Sequence, residues 1–252
     1  MKMVRDSTGK PWMRGRLRLA CLSGRQVTES SWEVTPAAAR GLQEELRGRV
    51  VVSGGPAAES LRTVAGLDVS FCREKVLLFA AVVVLRIPGF AVVEEGTAVV
   101  AAKFPYVPGL LAFREGPALL KALQEIKTTV DLLVFDGQGI AHPRGLGIAS
   151  HLGVLLERPA IGVAKRRLVG EYIMPPPERG AYTYLFYGER KVGTVLRTRA
   201  GAKPVFVSPG HLVGIHEATV LAYALCTKFR LPEPIRAAHN LSRRLFYRYR
   251  NI

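Results

Sequence analysis

The residues best placed to do chemistry gather in Asp131–Arg144, DLLVFDGQGIAHPR. Leu132–Phe135 is a short apolar run, the pattern of a buried strand. It ends on Asp136, and Gly137 and Gly139 follow, whose missing side chains let backbone approach a ligand closely. A carboxylate at that depth is costly unless it is paired or binds a metal. His142 and Arg144 come next, so one loop offers an acid, a base and a cation. An acid at a strand end also serves as a cap, here for a helix starting near Arg144. This stretch alone supports the two readings equally.

A second acid stands where acids are rare. Asp68 lies inside VAGLDVSF, between Leu67 and Val69, and aspartate is disfavoured in strands. An edge strand with Asp68 facing water is one account; the apolar flanks favour a functional one. In FPYVPGLLAFRE, two prolines bracket Tyr106-Val107 and Gly109 follows. That loop is stiff, and a displayed Tyr106 suits stacking on or wedging beside a base. A core tyrosine pinned by prolines is the commoner alternative. Arg114 and Glu115 fall near the start of the next helix, where such pairs are usually solvated. Lys165 ends the run PAIGVA and precedes Arg166 and Arg167, a good phosphate ligand or a solvated charge run. His239 sits on the last helix, where a lone histidine more often packs than reacts.

Composition narrows the class. The chain has 252 residues, 48% of them hydrophobic, so it buries a real core. Thirty-six Lys and Arg against 20 Asp and Glu give a net charge of +16, more than small neutral substrates require. Polyanions are the natural partner, nucleic acid first. An anionic membrane surface has no lipidation signal or long basic amphipathic helix behind it. The longest apolar run, Val76–Leu85, is far shorter than the roughly 20 residues that span a bilayer. Cys21, Cys72 and Cys226 are odd in number and scattered, so neither a disulfide framework nor a cysteine zinc site is indicated. A reducing, cytoplasmic setting and a monomer are expected. Residues 1–30 form a basic extension without a secretory core. It is a nucleic-acid contact, a loose tail or a transit segment; residues 31–252 are read as one catalytic domain.

The elements that position these residues follow from spacing. Thr35 caps a helix with Pro36 at its first position. Val64–Phe71, Val76–Arg86 and Phe90–Lys103 read as three strands, the last two joined by a tight Pro88-Gly89 turn. Helices are expected at Leu110–Lys127 and Arg144–Glu157, with strands at Asp131–Asp136 and Pro159–Ala164 around the second. Gly170–Gly188 reads as an irregular insertion around Pro175–Pro177. Lys191–Thr198 and Pro204–Ser208 form a smaller strand pair. Helices from Ile215 to Phe229 and beyond Pro232 or Pro234 close the chain. The last carries arginines interleaved with Phe246, Tyr247 and Tyr249, a pattern suited to nucleic acid.

Three antiparallel strands followed by α/β units is the order of the ribonuclease H-like fold, a central mixed sheet flanked by helices. Its first and fourth strands are neighbours, which brings Asp68 to Asp136. Two adjacent carboxylates repel unless a cation lies between them. Oxygen ligands favour Mg²⁺, with Mn²⁺ as a substitute, and Glu115 is a reasonable third carboxylate. A metal held by acids in a basic protein argues for phosphodiester hydrolysis.

The sequence resembles the endonuclease V family. The blocks VAGLDVSF, PYVPGLLAFRE, VFDGQGIAHPRGLGIASHLG, PAIGVAKRRLVG, VSPGH and LPEPIRAAH occur in the family's order from about Thr35 to the C-terminus. The resemblance implies an Mg²⁺-dependent enzyme that nicks deoxyinosine-containing DNA, or inosine-containing RNA, one nucleotide beyond the lesion on its 3′ side. It implies Asp68, Glu115 and Asp136 as metal and catalytic carboxylates, with His239 completing the site. Lys165 and His142 match positions that contact phosphate or assist the chemistry, beside Arg114. Tyr106 matches the wedge that fills the gap left by the displaced base. Gly109, Leu111, Gly137, Ile148, Gly162 and Leu168 would line the hypoxanthine pocket. Gln138 departs from the His that many relatives carry, and residues 1–30 and the arginine-aromatic tail lie outside the likeness. Other ribonuclease H-like nucleases share the carboxylates without needing the PYVPG loop. A catalytically silent nucleic-acid binder would not need Asp68, Glu115, Asp136, Lys165 and His239 together.

Overall fold

The computed structural model describes residues 32–250; the basic extension lies outside them. Helix α1 (Pro36–Arg47) precedes three antiparallel strands, β1 (Thr63–Cys72), β2 (Leu77–Arg86) and β3 (Ala91–Ala101). Helix α2 (Leu111–Gln124), β4 (Leu132–Asp136), α3 (Ile148–Leu156) and β5 (Ala160–Ala164) follow. Then come β6 (Tyr182–Tyr187), β7 (Arg190–Leu196), β8 (Val205–His211), α4 (Ile215–Ala224) and α5 (Glu233–Arg250). All eight strands join one mixed sheet in the order β3-β2-β1-β4-β5-β8-β7-β6. This is the ribonuclease H-like arrangement expected from the element order.

Strand alternation sends side chains to two helical layers. Ala65, Leu67, Ala80 and Val82 share a core with α1, α2 and α3. Val64, Leu132, Val134, Ile161 and Val163 meet α4 and the start of α5 on the opposite face. Gly66 faces α5 at such close range that a Cβ there would lie 1.9 Å from the Pro234 carbonyl oxygen. No side chain larger than hydrogen fits, and α5 settles directly on β1.

Thr35 caps α1 as its type predicts, its side-chain oxygen accepting from the Ala38 amide at 3.2 Å. Three local expectations change, the first being the helix expected to reach Phe229, which ends at Ala224. The helix expected from Arg144 begins at Ile148. Gly145 adopts φ +68°, and Gly147 and Ala149 donate instead to the carbonyls of Gly139 and Gln138. The segment expected to be irregular, Gly170–Gly188, contains β6. YTYLFY is rich in strand formers, and pairing with β7 outweighs the breaking effect of the nearby prolines. In the arginine-aromatic tail, Phe246 and Tyr249 pack against Phe79 at 5.9 and 5.7 Å between ring centroids. Tyr247 stays exposed, so the pattern is partly a packing device.

Candidate active site

Register decides where the acids meet. In the parallel β1–β4 pair, Leu67 stands opposite Phe135. Asp68 and Asp136 each come one residue later, at the same level on strands about 4.8 Å apart. Alternation turns both toward the α5 side. Asp68 is buried in the central sheet, which excludes the solvent-facing edge. Its Oδ2 accepts from Ser242 Oγ at 2.6 Å and from His239 Nδ1 at 3.2 Å, both on α5. Asp136 ends β4 and pairs with Lys165 Nζ at 2.5 Å. It caps no helix; Gly147 precedes α3 without a side-chain cap.

These residues line a cavity of about 300 Å³ with Glu115, Leu111 and Ile148. Candidate ligand atoms of Asp68, Asp136 and His239 all lie within 4.8 Å of one another. Burial pushes the Glu115 carboxyl up to about 8, reinforced by the charges of Asp68 and Asp136 and opposed by Arg114. Burial also raises Asp136, against the pull of Lys165. Three carboxyl groups thus share one pocket with a lysine and a histidine, an arrangement short of positive charge. The oxygen-rich donor set fits a hard divalent cation.

Other residues singled out in the sequence fall elsewhere. Tyr106 is 71% exposed on the loop ahead of α2, not pinned in the core. Arg114 donates through Nη1 to the Phe104 carbonyl at 2.7 Å and lies 4.3 Å over the Phe71 ring. It holds the loop's start and does not line the cavity. His142 is buried away from the carboxylates, with Nε2 2.9 Å from the Gly109 carbonyl oxygen. Burial lowers its imidazole to about 4. That leaves it a neutral ring facing the Gly109 backbone.

Gly137 and Gly162 provide room for packing. A Cβ on Gly137 would lie 2.7 Å from Ile148 Cγ2, and one on Gly162 would lie 2.5 Å from the Gly137 carbonyl oxygen. Gly109 sits at φ +79°. Leu168 is exposed beyond β5 and does not line the cavity. The sequence reading missed Gln43, which is fully buried on α1. Its signal was a polar residue within the inward stripe Ala39, Gln43, Leu46.

Comparisons with known proteins identify a family. The family model described as Endonuclease V matches residues 44–240. The Endonuclease V of Alkalilimnicola ehrlichii is 47% identical over 211 residues, 84% of this chain and 92% of that protein. The crystal structure of Endonuclease V from Streptomyces avermitilis superposes with a TM-score of 0.83 at 43% identity, covering 93% of this chain and 99% of that one. A Ciona intestinalis Endonuclease V, solved with a 24mer DNA containing an inosine followed by a ribo-adenosine, gives 0.73 at 30% identity. It covers 84% of this chain and 98% of its own.

Proposed function

The chain belongs to the endonuclease V family, and on that premise we propose that it is a metal-dependent endonuclease for inosine in nucleic acid, chiefly deoxyinosine in DNA. It hydrolyses the second phosphodiester bond on the 3′ side of the lesion and serves the repair of deaminated adenine. The observation that carries this reading is the convergence of Asp68 and Asp136, level on adjacent strands, in one cavity with Glu115, Lys165 and His239.

Asp68 and Asp136 would hold an Mg²⁺ ion, with Glu115 as the third carboxyl and Mn²⁺ as a substitute. When bound, such an ion supplies Lewis-acid activation of water and offsets charge at phosphorus. Lys165 places a cation at the rim, where it meets a phosphate oxygen. His239, with Nδ1 engaged by Asp68, keeps Nε2 to exchange a proton at the phosphodiester. Ser242 fixes the Asp68 carboxylate from the same helix. Tyr106, exposed on its stiff loop, fills the space left when the base leaves the stack, a displacement that costs a few kcal/mol. The inosine-containing DNA bound to the Ciona intestinalis relative supports this choice of lesion.

The test is a nicking assay on end-labelled duplexes carrying one deoxyinosine, with Mg²⁺ or chelator, beside an undamaged duplex and an inosine-containing RNA. A metal-dependent nick one nucleotide 3′ to inosine is expected. Cutting that ignores inosine would replace this reading with a less selective nuclease.

A further inference from the structure

The Tyr106 loop ends on a backbone group with an unusual set of partners. The Gly109 carbonyl oxygen accepts from Gln43 Nε2 at 3.0 Å, Arg144 Nη2 at 2.8 Å and His142 Nε2 at 2.9 Å. A carbonyl has two lone pairs, so three donors saturate it. The donors are themselves tied together. Arg144 Nε donates to Gln43 Oε1 at 2.6 Å, and the Arg144 amide donates to His142 Nδ1 at 3.2 Å. Gln43 also donates to the Leu146 carbonyl at 3.1 Å. One side chain on α1 thereby joins the loop before α2 to the loop before α3.

Glycine is needed at this point twice over. Its φ of +79° lies in the left-handed region, and a Cβ would come within 2.9 Å of Arg144 Nη2 and 3.3 Å of His142 Nε2. A neutral imidazole is what the network requires, since Nε2 donates while Nδ1 accepts. At the loop's other end Arg114 holds the Phe104 carbonyl. The Leu110 amide closes the turn onto the Val107 carbonyl at 2.9 Å. Tyr106 projects into solvent between two anchored ends. Gln43, on helix α1, lies one residue ahead of the family-model match.

We propose that Gln43, His142 and Arg144 are positioning residues that clamp the Gly109 carbonyl, hold the Phe104–Gly109 loop in its displayed form, and act on lesion recognition through Tyr106. This rests on the role given to Tyr106 above. A fixed loop presents its ring without losing freedom at the moment of binding.

The test is a double-mutant cycle on deoxyinosine duplex. Gln43→Met keeps volume and removes the donors. Its affinity is expected to fall roughly five- to tenfold, while the single-turnover nicking rate at saturating enzyme stays within about twofold of wild type. In a Tyr106→Ala background, Gln43→Met should add less than about a twofold loss. His142→Ala should behave like Gln43→Met, and His142→Gln, whose amide can reach the same carbonyl, should recover part of the affinity. That pair carries the comparison if Gln43→Met does not fold. Losses that multiply across the cycle, or that appear in the single-turnover rate, would overturn the clamp. If the wild-type enzyme does not discriminate inosine, the functional reading fails separately. The clamp is then judged by hydrogen exchange at the Leu110 amide, which donates to the Val107 carbonyl. Faster exchange in Gln43→Met supports it, and unchanged exchange overturns it.

Discussion

Helix α2 stands between two polar clusters built on opposite terms. In the cavity reached by Glu115, acceptors outnumber donors. Asp68 takes two hydrogen bonds, Asp136 takes one from Lys165, and burial together with the other two acids pushes Glu115 up to about 8. Just ahead of the helix, at Gly109, donors converge until one oxygen is saturated. The first arrangement favours any cation that enters. The second spends its donors on one backbone oxygen and so holds backbone in place. The cluster left electrostatically unfinished is therefore the one suited to chemistry, and the finished cluster is suited to geometry.

The largest expected effect breaks the first cluster. Asp136→Asn preserves shape and removes one of the two charges at the level of Asp68. Nicking of deoxyinosine duplex should fall roughly a thousandfold or more, while duplex affinity changes only severalfold. Gel-based single-turnover rates beside an equilibrium binding titration make the comparison. Retained metal-dependent nicking would show that the carboxylate pair is not the reaction centre.

Tyr106→Ala tests the other side of the contrast. Base–aromatic stacking contributes about 1–3 kcal/mol, so affinity for deoxyinosine duplex should drop roughly tenfold or more. The metal-dependent step should change much less. An unchanged affinity would remove the wedge role and leave the clamp without a purpose in recognition.

The two clusters were unequally legible in the sequence. Asp68 and Asp136 announced themselves because each interrupts or ends an apolar run, and strand order then brought them together. His239 and Lys165 were nameable as types, but only the path of α5 beside β1 and the end of β5 put them in the same cavity. The clamp left almost no local trace. Gln43 and Gly109 are 66 residues apart, and their hydrogen bond depends on how α1 lies against two loops. His142 stands out in the sequence as a base beside a glycine-rich loop and through the family likeness. Its burial and its backbone partner, the Gly109 carbonyl, are set by the fold and leave no local trace. The family likeness puts Gly137 and Gly162 at the base pocket, and in the structure a Cβ on either would meet Ile148 or loop backbone. Glycine in a sequence signals a close approach without saying what approaches.

The smallest expected effect concerns pH and acts through three buried histidines, one of them in the Gly109 cluster. Burial holds His142 down to about 4, opposed by its bond to the Gly109 carbonyl and aided by Arg144. Burial likewise lowers His211 to about 4, with Arg49 adding to the effect. His151, stacked on Trp32 at 5.4 Å and edge-on to Phe113 at 5.1 Å, falls to about 3. All three are neutral when folded and titrate near 6.5 when unfolded, so the unfolded chain binds more protons once pH drops below that value. Their stabilisation is complete above about pH 6.5 and declines as pH falls toward 4. At pH 5.5 each should cost about 1 kcal/mol relative to pH 7.5. His151→Phe keeps the aromatic contacts and removes a ring whose Nδ1 is buried without a partner among the described residues. Its melting temperature should therefore gain more at pH 5.5 than at pH 7.5, while nicking measured at pH 7.5 stays close to wild type. An equal gain at both pH values would mean that His151 acts through packing alone, and that the acid sensitivity lies with His142 and His211.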